Sequence, residues 1–221
     1  REIEIIAEAS RILKQVFKEV RQALTPGIST DDLDKIGEKV IRREGGRPAF
    51  KGYRGFPKTA CISLNEEVVH GIPGPRKLKA GDIVSYDVGA EVEGYFADAA
   101  RTWPIGQVSN KILELIEAAK GSFEAGIQVY QPGCRIGDMA AKIQEHIESR
   151  GFQVVRDYVG HGIGRNIHEE PQVPNYGKAG HGPKIEEGLV LAIEPMVTEG
   201  HYAVEMLADG WTVVTKDRKL A

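Results

Sequence analysis

The sequence predicts an α+β fold of two pseudo-symmetric halves, with antiparallel strands in the middle and helices outside. Three observations carry this. The order of elements runs helix, Pro-Gly, helix, strands, and then repeats. Pro26-Gly27 and Pro132-Gly133 lie 106 positions apart, as do Asp32 and Asp138, Ile41 and Ile147, and Gly45 and Gly151. Farther along, Gly81-Asp-Ile-Val-Ser-Tyr-Asp87 precedes Gly188-Leu-Val-Leu-Ala-Ile-Glu194 by 107 positions, each a glycine, an extended run and a carboxylate. The repeats cover roughly residues 1–106 and 107–221, and no Ser/Gly tract separates them, so a single domain is expected.

Each element has its own local reason. Ile6, Ala9, Leu13, Val16, Val20 and Leu24 step by three and four, one apolar stripe on a helix that Thr25-Pro26-Gly27 ends. Ser29-Thr30 followed by Asp31 and Asp32 starts a second helix, with acids where the helix dipole favours them, and Gly45-Gly46 ends it. From Phe50 to Gly106, short apolar runs between Gly and Pro read as strands and turns. Helical spacing returns at Ile112, Ile116, Ala119, Phe123 and Ile127, stops at Pro132-Gly133 and resumes from Asp138 to Arg150. After Gly151 the chain is strand and loop again.

Composition narrows the function classes. The 29 Lys+Arg against 32 Asp+Glu leave a net charge of −3, which removes the main argument for a nucleic-acid or polybasic membrane partner. No apolar run approaches the ~18 residues of a membrane span. The charged N-terminus has no secretory apolar region, and Cys61 and Cys134 stand 73 positions apart without a CxxC motif. A reducing, cytoplasmic compartment is the expectation.

Carboxylates supply the chemical clue. Ile83 to Ala90 and Tyr95 to Trp103 have strand composition, joined by Glu91-Val-Glu-Gly94. A two-residue turn centred there sets Asp87 opposite Asp98, and a three-residue bulged turn shifts that register by one. Two acids so close must share a proton or a cation. Glu194 ends the apolar run Leu189 to Ile193 before Pro195, where an ionised carboxylate is costly unless paired or metal-bound. An ion pair with a residue such as Arg101 is the bland alternative for either acid alone. Three acids converging on one axis favour a metal.

The histidines come mainly from Gly160-His-Gly-Ile-Gly-Arg-Asn-Ile-His168-Glu-Glu-Pro171. Its alternating glycines forbid a helical HExxH site and let backbone approach closely. His161 and His168 are an odd number apart, so one straight strand would aim them at opposite faces. His70 precedes Gly71-Ile-Pro73 and reads equally well as a half-buried structural histidine. His146, His181 and His201 read as surface residues, and the cysteines as small apolar residues. Carboxylates with one imidazole suit Mn, Fe, Co or Zn, and bridging carboxylates favour two ions about 3.5–4 Å apart.

With Asp87, Asp98, His161 and Glu194 in that order, the chain resembles the methionine aminopeptidases of the pita-bread fold shared with prolidases. The stretches CISLNEEVVHGIP (61–73), GDIVSYDVG (81–89), GYFADAARTW (94–103), GHGIGRNIHEEPQVPNYG (160–177) and EPMVTEG (194–200) carry the resemblance, which spans essentially the whole chain. The short His168–Glu194 spacing points to type I. The resemblance implies that Asp87 chelates one metal, that Asp98 bridges two, and that His161 and Glu194 hold the other. It implies that Glu194 shuttles a proton, and that His70 and His168 contact substrate and steady the oxyanion. Phe50, Tyr53, Phe56, Cys61, Ile167 and Trp211 fall where the family lines its methionine pocket, with Ile167 where some members have Phe.

The implied reaction is removal of the initiator methionine from new polypeptides by two divalent ions. The implied partners are N-terminal methionyl peptides, with a ribosomal contact near the exit tunnel left open and a monomer the default. Rivals are a prolidase-like peptidase and an impaired peptide-binding module. The second arises because the family's fifth ligand, a glutamate beyond the Asp-Gly-Trp-Thr segment (here 209–212), is not found before Ala221. The expectation is that a C-terminal strand is missing, with Glu205 as the weaker candidate because it lies 107 positions after Asp98.

Overall fold

A computed structural model describes residues 1–221. Its helices are α1 (Glu2–Ala23), α2 (Thr30–Arg43), α3 (Asn110–Ile127) and α4 (Ile136–Glu148). The first half contains β1 (Arg47–Pro48), β2 (Ala60–Leu64), β3 (Glu67–Val69), β4 (Ile83–Val92) and β5 (Tyr95–Pro104). The second contains β6 (Gln153–Val154), β7 (Gly160–Gly162), β8 (Glu169–Val173), β9 (Leu191–Ala192), β10 (Val197–Thr198), β11 (Val204–Met206) and β12 (Val213–Thr215). A single 3-10 turn, Tyr53–Gly55, precedes β2. No helix is long and apolar enough to cross a membrane.

The predicted cap of the second helix forms: the Asp32 amide donates to the Ser29 hydroxyl oxygen at 3.1 Å. The stripe on α1 buries Ala9, Leu13, Val16 and Val20, and α2 adds Leu33, Val40 and Ile41. These pack on Val84, Tyr86, Val88 and Ala90, every second residue of β4, in one core cluster. Period two then turns Asp87 and Gly89 to the opposite face, away from the helices. Gly37 admits the Tyr86 ring, since a Cβ there would stand 2.0 Å from the phenol oxygen. In the second half, Leu115, Ala118, Met139, Ile143 and Ile147 of α3 and α4 form a separate core with Phe152, Val154, Val173 and Val197.

The central sheet is not continuous. The strands form four antiparallel groups: β1-β4-β2 with β5 on β4, β8-β7-β9, β10-β6, and β11-β12-β3. The last group joins the halves, because β3 of the first pairs with β12 of the second.

The β4–β5 register differs from the predicted one. Val92 pairs with Tyr95, so Asp98 stands opposite Gly89 and Asp87 opposite Ala100. The turn residues are Glu93 and Gly94, at φ 48° and 82°. Positive φ at both central positions is what a type I′ hairpin requires, and it draws the turn onto the glycine, one residue later than the even split. Side-chain parity survives that shift, so Asp87 and Asp98 share a face as diagonal neighbours rather than as a direct pair.

Candidate metal centre

Four ionisable side chains gather where β4, β5, β7 and the end of β9 converge. His161, buried in β7, contacts the Gly162 carbonyl through Nδ1 at 2.8 Å. A carbonyl only accepts, so Nδ1 carries a hydrogen and Nε2 is the nitrogen turned toward the acids, a lone-pair donor whenever the ring is neutral. Nε2 lies 3.1 Å from Glu194 Oε1 and 3.7 Å from Asp98 Oδ2. Ligand atoms from Asp98, His161 and Glu194 all fall within 4.8 Å of one another. Asp87 adjoins Asp98, and its carboxyl is held well above the usual range by burial and then by the charges of Asp98 and Glu194.

The donors fit a divalent cation. Glu194 Oε1 is buried and has no hydrogen-bond partner although His161 Nε2 is close by. Lone pair faces lone pair there unless a proton or a metal ion lies between. Burial raises the Glu194 carboxyl, outweighing its contact with His161. Burial opposes charging His161, yet Asp98 and Glu194 override it and push the imidazole up to about 10 in the metal-free protein. Carboxylates and one imidazole are the ligands of borderline or hard divalent ions.

The other predicted residues assemble alongside. His161 and His168 have ring centroids 4.2 Å apart, so they serve one site. The two do not share one straight strand: β7 ends at Gly162 and β8 begins at Glu169, with a register shift after His161, so the opposite-face condition does not arise. His168 stacks on Tyr53 at 5.2 Å, with Nδ1 3.0 Å from the tyrosine hydroxyl. Burial, then the neighbouring His161, lowers His168 to about 4, and burial also lowers His70. His70 sits edge-on to Tyr158 at 5.6 Å and to Trp211 at 6.5 Å. Phe50, Phe56, Cys61 and Ile167 form one small apolar cluster, with Tyr53 and Trp211 against it. Cys61 pairs with Asp87 across the β2–β4 ladder, so the apolar cluster abuts the carboxylates.

Other residues there escaped sequence reasoning. Ala49, Ile72 and Phe96 belong to the apolar cluster. Phe96 could have been found, because it stands two residues before Asp98 on the same strand face. Asn175 is fully buried, and its Nδ2 donates to the Glu194 carbonyl at 2.7 Å. One expectation is corrected. His146 is half-buried rather than on the surface, filling a notch where a Cβ on Gly121 would meet its Nε2 at 2.4 Å. Glu205, the weaker candidate for a further ligand, lies on exposed β11, where Arg218 donates to it at 2.6 Å, outside the donor group.

A fold of this kind holding a carboxylate–imidazole donor group defines a class of metallopeptidases, and the comparisons agree. The profile described as metallopeptidase family M24 matches residues 4–217, and the chain belongs to that family. Methionine aminopeptidase 1 of Bacillus subtilis is 48% identical over 219 residues, covering 99% of this chain and 88% of that protein. The crystal structure of a methionine aminopeptidase from Thermotoga maritima superposes with a TM-score of 0.97 at 44% identity, covering 99% of this chain and 88% of that one. A prolidase from Pyrococcus horikoshii shares the fold at 22% identity and TM-score 0.77, over 96% of this chain and 57% of its own.

Proposed function

We propose that this metallopeptidase removes the N-terminal methionine from polypeptides. The observation that carries the reading is the position of the Asp98–His161–Glu194 group beside the apolar cluster of Phe50, Phe56, Cys61 and Ile167, which Cys61 links to the carboxylates by pairing with Asp87. Relatives named methionine aminopeptidases support it at 48% identity over nearly the whole chain. Asp87, Asp98, His161 and Glu194 would hold two divalent ions, of Mn, Fe, Co or Zn. When bound, such ions lower the pKa of a water and polarise the scissile carbonyl.

The chain's own residues do the rest. Phe50, Tyr53, Phe56, Cys61, Ile167 and Trp211 exclude water around the methionine side chain, for which an unbranched thioether is a good fill. The Glu194 carboxylate takes a proton from the attacking water and passes it to the leaving amine. His168 stays neutral at pH 7, and Tyr53 donating to Nδ1 leaves its N–H on Nε2, free for the developing oxyanion. His70, beside Trp211, takes the same part. We read the chain as one catalytic domain, acting as a monomer on new chains in the cytoplasm.

Assay of Met-Ala-Ser against Ala-Pro, before and after chelation and with metal restored, tests the reading. Metal-dependent release of methionine alone is expected. Cleavage of Ala-Pro alone would make the chain a prolidase, and no cleavage with tight peptide binding would make it a binding module.

A further inference from the structure

Gly89 has no backbone reason to be glycine. It lies inside β4, directly opposite Asp98 and two residues beyond Asp87, and its φ is not positive. A glycine in a strand interior weakens the strand, so it marks a place where something must come close. A Cβ at Gly89 would stand 2.7 Å from Phe50 Cε1, 3.2 Å from Phe50 Cδ1 and 2.9 Å from the Ala49 Cβ. Ordinary carbon contacts need about 3.5–4 Å, so these atoms would have to move by roughly 1 Å.

Phe50 cannot retreat along its backbone. Arg47 and Pro48 pair with Glu91 and Ala90, and the Ala49 amide donates to the Gly89 carbonyl at 3.0 Å. The segment is thereby pinned to the edge of β4, just before the point where β2 takes over the pairing at Val88. The ring folds over Gly89 onto the carboxylate face of the sheet and joins the cluster of Phe56, Cys61 and Ile167. With the backbone held, a displaced ring presses on the side chains of that cluster, its packing neighbours.

We infer that Gly89 is a specificity-determining residue that sets the depth of the side-chain pocket. By presenting no side chain opposite Asp98, it lets the edge of the Phe50 ring come down onto the sheet and leaves room for a long unbranched residue beside the candidate metal ligands. The inference rests on the methionine-pocket reading above. That reading fails separately, if the unaltered chain releases no methionine.

The test uses Gly89→Ala, Phe50→Leu and the double variant, assayed on Met-Ala-Ser and on the same peptide with norvaline, whose unbranched side chain is shorter, in place of methionine. Metal affinity is measured in parallel by calorimetry. In Gly89→Ala, kcat/KM for the methionine peptide should fall at least tenfold, mainly through KM. The norvaline-to-methionine preference should rise at least threefold, with metal affinity within threefold of the unaltered chain. Adding Phe50→Leu should bring kcat/KM back to within threefold of Phe50→Leu alone, and should restore folding if Gly89→Ala fails to fold. Unchanged KM and selectivity would overturn the inference, as would a loss carried by kcat with weakened metal binding. A double variant that recovers neither folding nor turnover would do the same.

Discussion

The two halves hold the four clustered donor side chains by different means. In the first half, β4 and β5 pair over ten residues each, and that regular ladder places Asp87 and Asp98 on one face without help from other side chains. In the second, β7 has three residues and β9 two, and Glu194 falls just past the end of its strand. Individual hydrogen bonds replace the ladder there: His161 Nδ1 to the Gly162 carbonyl, and Asn175 to the Glu194 carbonyl. Glycines permit that compactness, since a Cβ on Gly160 or Gly162 would sit 2.2 Å from the Ala192 or Glu170 carbonyl oxygen. A long hairpin positions carboxylates by geometry alone, whereas short strands need a dedicated tether for each ligand.

Asp98→Ala should break the first half's contribution outright. Its carboxylate is the one that touches both Asp87 and the His161–Glu194 pair, so about a thousandfold of metal-dependent kcat/KM should go, equivalent to ~4 kcal/mol. Circular dichroism should be unchanged, because removing one of several repelling buried acids relieves the metal-free fold. Full activity would place the site elsewhere.

The second half is sharpened by pH. With His161 pushed up to about 10 in the metal-free protein, Nε2 is protonated throughout the neutral range. Binding a metal there must release that proton, together with any held by the raised Asp87 and Glu194 carboxyls, so metal affinity should rise at least about tenfold per pH unit, or at least about a hundredfold between pH 6 and 8. Stability without metal runs the other way. The raised pKa of His161 contributes stability that is complete below its ordinary unfolded value and is lost as pH climbs through 10. Calorimetric titration at three pH values checks the first statement, and a flat affinity would remove His161 from the ligand set.

Asn175→Ala probes the tether rather than the ligand. Metal affinity should fall about tenfold to a hundredfold, with KM nearly unchanged and Asn175→Gln recovering part of the loss. An equal drop in melting temperature with no change in metal affinity would make Asn175 a purely structural residue. Glu205→Ala should do least. It breaks one exposed ion pair with Arg218, worth under about 1 kcal/mol, and leaves metal affinity unchanged. A lost metal site in that variant would make Glu205 a ligand after all.

What local pattern could determine, the sequence determined. The stripe on α1, the Ser29 cap on α2 and the strand composition of β4 depend on neighbours within a few residues, and each appears in the structure. The donor types were legible too, because acids at the ends of apolar runs are costly unless something compensates them. Tertiary structure decided the rest. The hairpin register moved because the chain satisfied positive φ at Glu93 and Gly94. The tether of Asn175 to Glu194, the stacking of Tyr53 on His168 and the docking of Phe50 on Gly89 join residues from separate elements, so no local periodicity encodes them. Secondary structure follows from short-range backbone and side-chain preferences, but which side chain reaches a given ligand depends on where folding brings distant segments together.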